Sequence, residues 1–353
     1  MENIELLDKI LKTLETNHLN LYHSISKDEI DAYVLKLKEK INDCNDIEFD
    51  YEMLKLFAQF KDAHTNYWTK MEYLDKEIWC YKNKLYVQID GKFCEITEIN
   101  GFKPKQIMQM FHEVSTYETE EWKKYQIKQI RNAYYFKIFK ILKDDKLDCL
   151  LKNGKHIIIN NKYKERVFER PKNYYYTINK NVLYLNYRKC NNDENFPFAD
   201  LVKEISKKVK ELGIEQYILD LRDNGGGNSE ILNPFQDLVR KRKMQGVLLI
   251  NNGVFSSGRF AVARFKREFG TTLIGEPTGG AAKSYGYALP LRVADKEFTA
   301  SIRLWDFSDI FGYEGAIQPD ILVEQTLQDI ENGNDRVLET AMQELEKISS
   351  KSL

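Results

Sequence analysis

The chain has 353 residues, which at about 100 to 200 residues per domain predicts two domains or three and excludes a single small binding module. Hydrophobic residues make up 42% and charged residues 30%, with 53 Lys+Arg against 54 Asp+Glu. There is material for a sizeable core, and the near-zero net charge points to neither nucleic acid nor an anionic membrane as a partner.

The first 60 residues read as helices. Ile4, Leu7, Ile10, Leu11 and Leu14 recur at helical spacing, and Ser26 with Glu29 forms a capping-box pattern ahead of Ile30, Tyr33, Val34, Leu37 and Ile41. Asp50 is a candidate cap for a third helix carrying Leu54, Phe57 and Phe60, which runs into Asp62-Ala63-His64-Thr65. Short strands follow at Ile78 to Tyr81, Leu85 to Ile89 and Cys94 to Ile99, then a helix from Pro104 to Phe111 and a helical stretch from Glu118 to Leu142. Leu147 to Leu151 and His156 to Ile159 flank Asn153-Gly154, a strong hairpin signal.

Beyond about residue 174 strands and helices alternate. Val182 to Tyr187, Tyr217 to Leu221, Val247 to Ile250 and Thr272 to Ile274 read as strands; Phe198 to Leu212, Glu230 to Lys241 and Ser256 to Phe269 read as helices, with a closing helix over Asn334 to Ile348. This alternation predicts an α/β domain with a largely parallel sheet, whose ligand site lies beyond the C-terminal strand ends. The predicted division is 1–75 (helical), 76–173 (small and β-rich) and 174–353 (α/β).

No apolar run reaches the roughly 20 residues needed to span a bilayer, and the start has neither a basic n-region nor an unbroken apolar stretch, so a cytoplasmic location is expected. Five cysteines without a C-x-x-C pair argue against a disulfide framework and a zinc knuckle, and they read as small buried hydrophobes. No histidine stands at a metal-ligand spacing with another ligand residue, so neither metal nor cofactor is expected.

Four segments could carry chemistry. Leu219-Asp220-Leu221-Arg222-Asp223-Asn224-Gly225-Gly226-Gly227 leaves a strand with three glycines, whose main-chain N–H groups suit a phosphate or an oxyanion. No G-K-[ST] follows, which disfavours a nucleotide loop. Asn252-Gly253-Val254-Phe255-Ser256-Ser257-Gly258-Arg259 places a serine at a helix start, where a cap is the ordinary role and a nucleophile beside the glycine loop the more specific one. His64 and Glu314, the latter ahead of Ala316-Ile317-Gln318-Pro319-Asp320, complete the set.

Taken in order, Asp62-Ala63-His64-Thr65, Leu219 to Gly226, Phe255-Ser256-Ser257-Gly258, Leu273-Ile274-Gly275-Glu276-Pro277-Thr278-Gly279-Gly280 and Ile317-Gln318-Pro319-Asp320-Ile321 resemble the C-terminal processing (tail-specific) serine peptidases, closest to their tricorn-core-like and retinoid-binding-protein-like branch. The resemblance implies a crotonase-like α/β core, Ser256 as nucleophile, and an oxyanion hole from Gly225, Gly226 and Ser257. It further implies His64 as general base and Glu314 as the acid that orients it. In the lysine-using branch the base lies just past the Gly-Glu-Pro-Thr stretch. Here Lys283 is two places too far and Ala281 occupies the expected position, so Lys283 is the alternative base. Ala63 stands where the tricorn pattern has a serine. The segment from about Ile78 to Phe111 loosely resembles a PDZ-like module through Ile96 to Gly101, without its glycine-rich carboxylate-binding loop.

The expected function is therefore hydrolysis of peptide bonds in peptides or protein tails through an acyl-enzyme on Ser256. The partner would be a peptide or unfolded protein rather than nucleic acid or membrane, and a homo-oligomer is compatible with it. A non-catalytic peptide-binding protein on the same fold is the alternative. A crotonase-type acyl-CoA enzyme ranks below both, because the Phe-Ser-Ser and Gly-Glu-Pro-Thr stretches would have no role in it.

Overall fold

The computed structural model describes residues 2–162 and 172–351. The chain forms two compact units, one of residues 1–168 with 284–305, the other of 169–283 with 306–353.

In the first unit, helices Asn3–Asn17, Lys27–Lys38 and Asp46–Gln59 pack their apolar faces into one core with the strands that follow. The Ser26/Glu29 capping box forms as the sequence predicts. The third helix begins earlier than expected: Asn45 caps it, accepting from the N–H groups of Ile47 and Glu48, and Glu48 returns a bond to the Asn45 N–H. Asp50 lies inside that helix, buried, where it accepts from the hydroxyls of Tyr67 (2.6 Å) and Tyr134 (2.7 Å) and pairs with Lys296 (3.1 Å). A buried carboxylate needs such partners, which accounts for an aspartate at a core position.

Strands Tyr73–Tyr81, Lys84–Ile89, Lys92–Ile99, Lys146–Leu151 and His156–Lys162 pair antiparallel, and Tyr73–Tyr81 pairs both with Lys84–Ile89 and with His156–Lys162, so the five close into a ring. The closing join to His156–Lys162 consists of the pairs Tyr73/Lys162 and Leu74/Asn161. The Asn153-Gly154 hairpin is present, with Gly154 at φ 81°. The continuous helical stretch expected over Glu118 to Leu142 is instead helix Glu120–Gln126, strand Gln129–Asn132 and helix Ala133–Ile138. Pairing of Gln129–Asn132 with Tyr73–Tyr81 and an Asn132 cap on Tyr134 N–H outweigh local helical spacing. A separate three-stranded sheet joins Tyr67–Trp68, Lys296–Asp306 and Lys283–Val293 in that order.

The second unit is the α/β arrangement the alternation predicts. Its sheet runs in the order Tyr174–Asn179, Val182–Tyr187, Gln216–Asp220, Gln245–Ile250, Thr272–Gly275, Ile321–Leu322; the last five strands are parallel, and the first is antiparallel to its neighbour. Helices Phe198–Leu212, Asn233–Arg242 and Ser257–Phe269 bury Ile205, Phe235 and Phe265 on one face of this sheet. Arg336–Lys351 covers the other, with Val337, Ala341 and Leu345 against Ile218, Val247 and Leu249. Both faces are thus sealed, as parallel sheets require. The cysteines are free thiols; Cys149 and Cys190 are buried, whereas Cys44, Cys80 and Cys94 are half-buried. Among the described residues no helix is long and apolar enough to cross a membrane.

Candidate active site

The second unit brings Ser256, Ser257, Gly225 and Gly226 together at the C-terminal ends of adjacent strands. Asn251 staples the two loops: its Oδ1 accepts from the N–H of Asp223 (2.9 Å) and of Gly253 (3.0 Å), and its Nδ2 donates to Asp223 Oδ1 (2.9 Å). Main-chain contact continues the join, with Phe255 N–H donating to Asn224 O (3.0 Å). Gly258 packs on the same peptide so closely that a Cβ there would lie 2.5 Å from Asn224 O. Glycine at the second helical position is therefore a steric requirement.

Ser256 stands at the N-cap of Ser257–Phe269 but makes no capping hydrogen bond, and its backbone is at φ 49°, ψ −124°. The ordinary role of a serine at this position is absent. A non-glycine residue so placed carries about 1 to 3 kcal/mol of strain, and strained strand–turn–helix corners are used to expose a nucleophilic hydroxyl. Ser256 is half-buried. A Cβ on Gly226 would lie 2.7 Å from Ser256 Cβ, 2.8 Å from Ser257 N and 3.1 Å from Ser256 Oγ, so the glycine loop lies directly against the serine.

The donors of this corner differ from one another. Gly226 N–H donates to Asn224 Oδ1 (3.0 Å), and the Asn224 amide in turn donates to Tyr187 O (2.7 Å). Gly225, exposed at the loop tip, and Ser257, the first helical residue, have N–H groups with no hydrogen-bond acceptor among the described residues. Ser257 Oγ donates to Gly227 O (2.5 Å).

Arg259 and the Gly-Glu-Pro-Thr stretch hold the corner from behind. The Arg259 side chain is fully buried, donating from Nε to Ser256 O (3.3 Å) and from Nη1 to Ala281 O. Thr278 exchanges main-chain and hydroxyl bonds with Ile317 (3.0 Å each), linking the glycine-rich stretch to the Gln-Pro-Asp motif. Asn252 Nδ2 donates to Pro277 O (2.7 Å). Arg259 follows the Ser-Ser-Gly motif directly, yet nothing in the local sequence marks an arginine there as buried.

Lys283 and Glu314 are also brought together. Their main chains are bonded (Lys283 N–H to Glu314 O, 3.0 Å), and Lys283 Nζ lies 2.7 Å from Glu314 Oε1 and 3.6 Å from Asp306. The hydrogen bond and charge of Glu314 raise the Lys283 pKa further above its ordinary value. Glu314 is exposed.

His64 belongs to the first unit, in a turn between the Asp46–Gln59 helix and strand Tyr67–Trp68. Asp62 organises that turn. Its Oδ1 accepts from His64 N–H (2.8 Å), and its Oδ2 accepts from Thr65 Oγ1 (2.8 Å) and His18 Nε2 (2.8 Å). His18 Nδ1 accepts from Asn20 N–H (2.9 Å), which fixes the proton on Nε2 toward Asp62. Thr299 Oγ1 donates to His64 O (2.8 Å). The imidazole is buried, and Gly286 faces it: a Cβ there would lie 3.5 Å from His64 Cε1.

Glu118 completes this cluster. One ligand-type atom from each of Asp62, His64 and Glu118 lies within 4.8 Å of the others. A His and two carboxylates have the chemistry of a divalent-cation site, but both Asp62 oxygens are already committed to three donors. A cation would have to displace them. His18 and Glu118 join the site from positions remote in sequence, with no local signal.

No family model and no curated protein sequence matches the chain. Solved structures do. Mature CPAF in complex with lactacystin is similar at 10% identity and TM-score 0.60, over 98% of this chain and 97% of that one. A candidate peptidase of Parabacteroides merdae is similar at 14% identity and TM-score 0.53, over 98% and 97%. The photosystem II D1 C-terminal processing protease is similar at 12% identity and TM-score 0.48, over 96% and 98%. With CPAF and the Parabacteroides protein the chain shares its fold along nearly its whole length, the likeness expected from the resemblance of its motifs to the C-terminal processing peptidases.

Proposed function

We propose that the chain is a serine peptidase whose nucleophile is Ser256. The observation that carries this reading is the Ser256 corner: a strained serine at a helix N-terminus, making no capping bond, against a glycine loop and beside the unengaged N–H groups of Gly225 and Ser257. In this reading the second unit is a crotonase-like catalytic core, and the closed ring of strands is the PDZ-like module.

Ser256 Oγ attacks the scissile carbonyl while His64 takes its proton, forming a tetrahedral intermediate whose oxyanion accepts from the main chain of Gly225 and Ser257. Each donor of this kind contributes about 3 to 4 kcal/mol when well placed. Gly226, whose N–H is engaged by Asn224, contributes by having no side chain. The intermediate collapses as His64 gives the proton to the leaving amine, and water resolves the acyl-enzyme by the same steps. The motif resemblance assigns Glu314 as the acid that stabilises the imidazolium. Peptides or unfolded protein tails are the substrates this chemistry fits.

The test is the intact mass and peptide map after exposure to a small fluorophosphonate, with Ser256→Ala and Ser257→Ala controls. An adduct confined to Ser256 is expected. Folded protein that takes no adduct and binds peptides without cleaving them would replace this reading by that of a peptide-binding protein.

A further inference from the structure

The motif resemblance pairs His64 with Glu314, but within its own unit the histidine has other carboxylate company. Asp62 and Glu118 each bring an oxygen within 4.8 Å of an imidazole nitrogen and of each other. These two carboxylates are held differently. Asp62 is fully buried and spends its oxygens on the His64 and Thr65 turn and on His18, so its direct bond to His64 goes to the main chain. Glu118 is half-buried and directly precedes Thr119, whose buried hydroxyl caps helix Glu120–Gln126 by accepting from Trp122 N–H (3.0 Å). That cap fixes the backbone from which Glu118 brings its carboxylate within 4.8 Å of a ring nitrogen.

We infer that Glu118 is a positioning residue for His64, orienting the imidazole and stabilising its protonated form, the part the motif resemblance gives to Glu314. The inference rests on the peptidase reading only for its catalytic consequence; the proximity itself is a property of the first unit. Asp62 serves as the platform, setting the turn and adding a fixed negative charge. Among the described residues, the groups that bear on the imidazole's charge include Asp62 on its own turn, Glu118 from the segment before the Glu120–Gln126 helix, and His18, which is bonded to Asp62. From strand Lys283–Val293 the ring meets Gly286, which carries no charge. Glu314 meanwhile bonds Lys283 at 2.7 Å.

The experiment is titration of the histidine side-chain NMR signals of the full chain between about pH 5 and pH 9, with the His64 signal assigned by its loss in His64→Ala. Glu118→Gln is expected to lower the His64 midpoint by about one pH unit, since a carboxylate at this range favours the charged ring. Glu118→Asp, which keeps the charge and withdraws it by one methylene, should move the midpoint the same way by less. In the active enzyme, Glu118→Gln should shift the acid limb of kcat/KM to lower pH by the same amount and reduce kcat about 10- to 100-fold with KM nearly unchanged. A purely structural role would not move that limb. An unmoved midpoint in either folded Glu118 variant overturns the inference, as does a midpoint that responds to Glu314→Gln alone. If the protein cleaves nothing, the spectra still decide Glu118, and the failure belongs to the peptidase reading.

Discussion

Lys283 Nζ is held 2.7 Å from Glu314 Oε1, so the lysine that could serve as an alternative base is bonded to the carboxylate that the motif resemblance assigns to the histidine. An ammonium in that pair is harder to deprotonate, and its pKa is raised accordingly. A general base must be unprotonated near the working pH. Lys283→Ala is therefore expected to keep peptidase activity within about threefold of the parent, whereas His64→Ala should lose about 10³-fold or more. The rate should rise through about pH 6 to 7.5 in both parent and Lys283→Ala. A Lys283→Ala enzyme as dead as His64→Ala would assign the proton transfer to lysine.

The contact between Gly226 and Ser256 predicts a second result. With φ at +104° and a Cβ only 2.7 Å from Ser256 Cβ, Gly226→Ala must displace Ser256 or the loop. Activity should fall by about 10²-fold or more, with a stability loss of about 1 to 3 kcal/mol from forced backbone strain. Gly225→Ala is the contrast, because a Cβ there meets nothing within 4 Å. Denaturant melts and fluorophosphonate labelling rates of the two variants read both effects; equal behaviour would show that the loop does not press on the serine.

Much of this corner was legible because its signals are local. Apolar runs such as Val247 to Ile250, alternating with helical spacing, predict the parallel sheet, and the glycines and serines fall where strand-end loops must be. The Ser26/Glu29 box is equally local. What could not be read is settled by distant partners. Gln129–Asn132 is a strand only because Tyr73–Tyr81 pairs with it. The strand Lys283–Val293 contains Gly286 and Pro290, which break a strand pattern; it tolerates them as the outer strand of its sheet, and Gly286 leaves room for His64. His18 reaches Asp62 from 44 positions away, so no spacing rule could link them.

Asp62 ties stability to acid. Burial alone would raise its pKa, but the His18 hydrogen bond, the charge of His64 and the His64 N–H together hold it below the usual carboxylate range. A group depressed on folding contributes stability above its unfolded pKa, about 4, and loses it as pH falls from there toward the folded value. Urea unfolding at pH 6 should find Asp62→Asn less stable by about 2 to 3 kcal/mol, and the gap should narrow as both proteins are taken below about pH 4. Stability curves that stay parallel down to pH 3 would mean that the Asp62 charge is not what the turn depends on.

Arg259 offers the last test, because it joins packing to chemistry. Its guanidinium is buried and donates to the carbonyls of Ser256 and Ala281, so it holds the strained peptide from which the Ser256 side chain projects. Lysine has the charge but cannot reach both acceptors in the same planar geometry. Arg259→Lys is thus expected to fold, with a stability loss of about 1 to 3 kcal/mol, and to lower kcat about 10- to 100-fold while KM changes little. Arg259→Met leaves both carbonyls without this donor and should cost at least as much in kcat. Fluorophosphonate labelling separates the causes: slowed labelling at Ser256 in both variants places the defect in the nucleophile's geometry. Labelling at the parent rate alongside a reduced kcat would place it in substrate binding or product release instead.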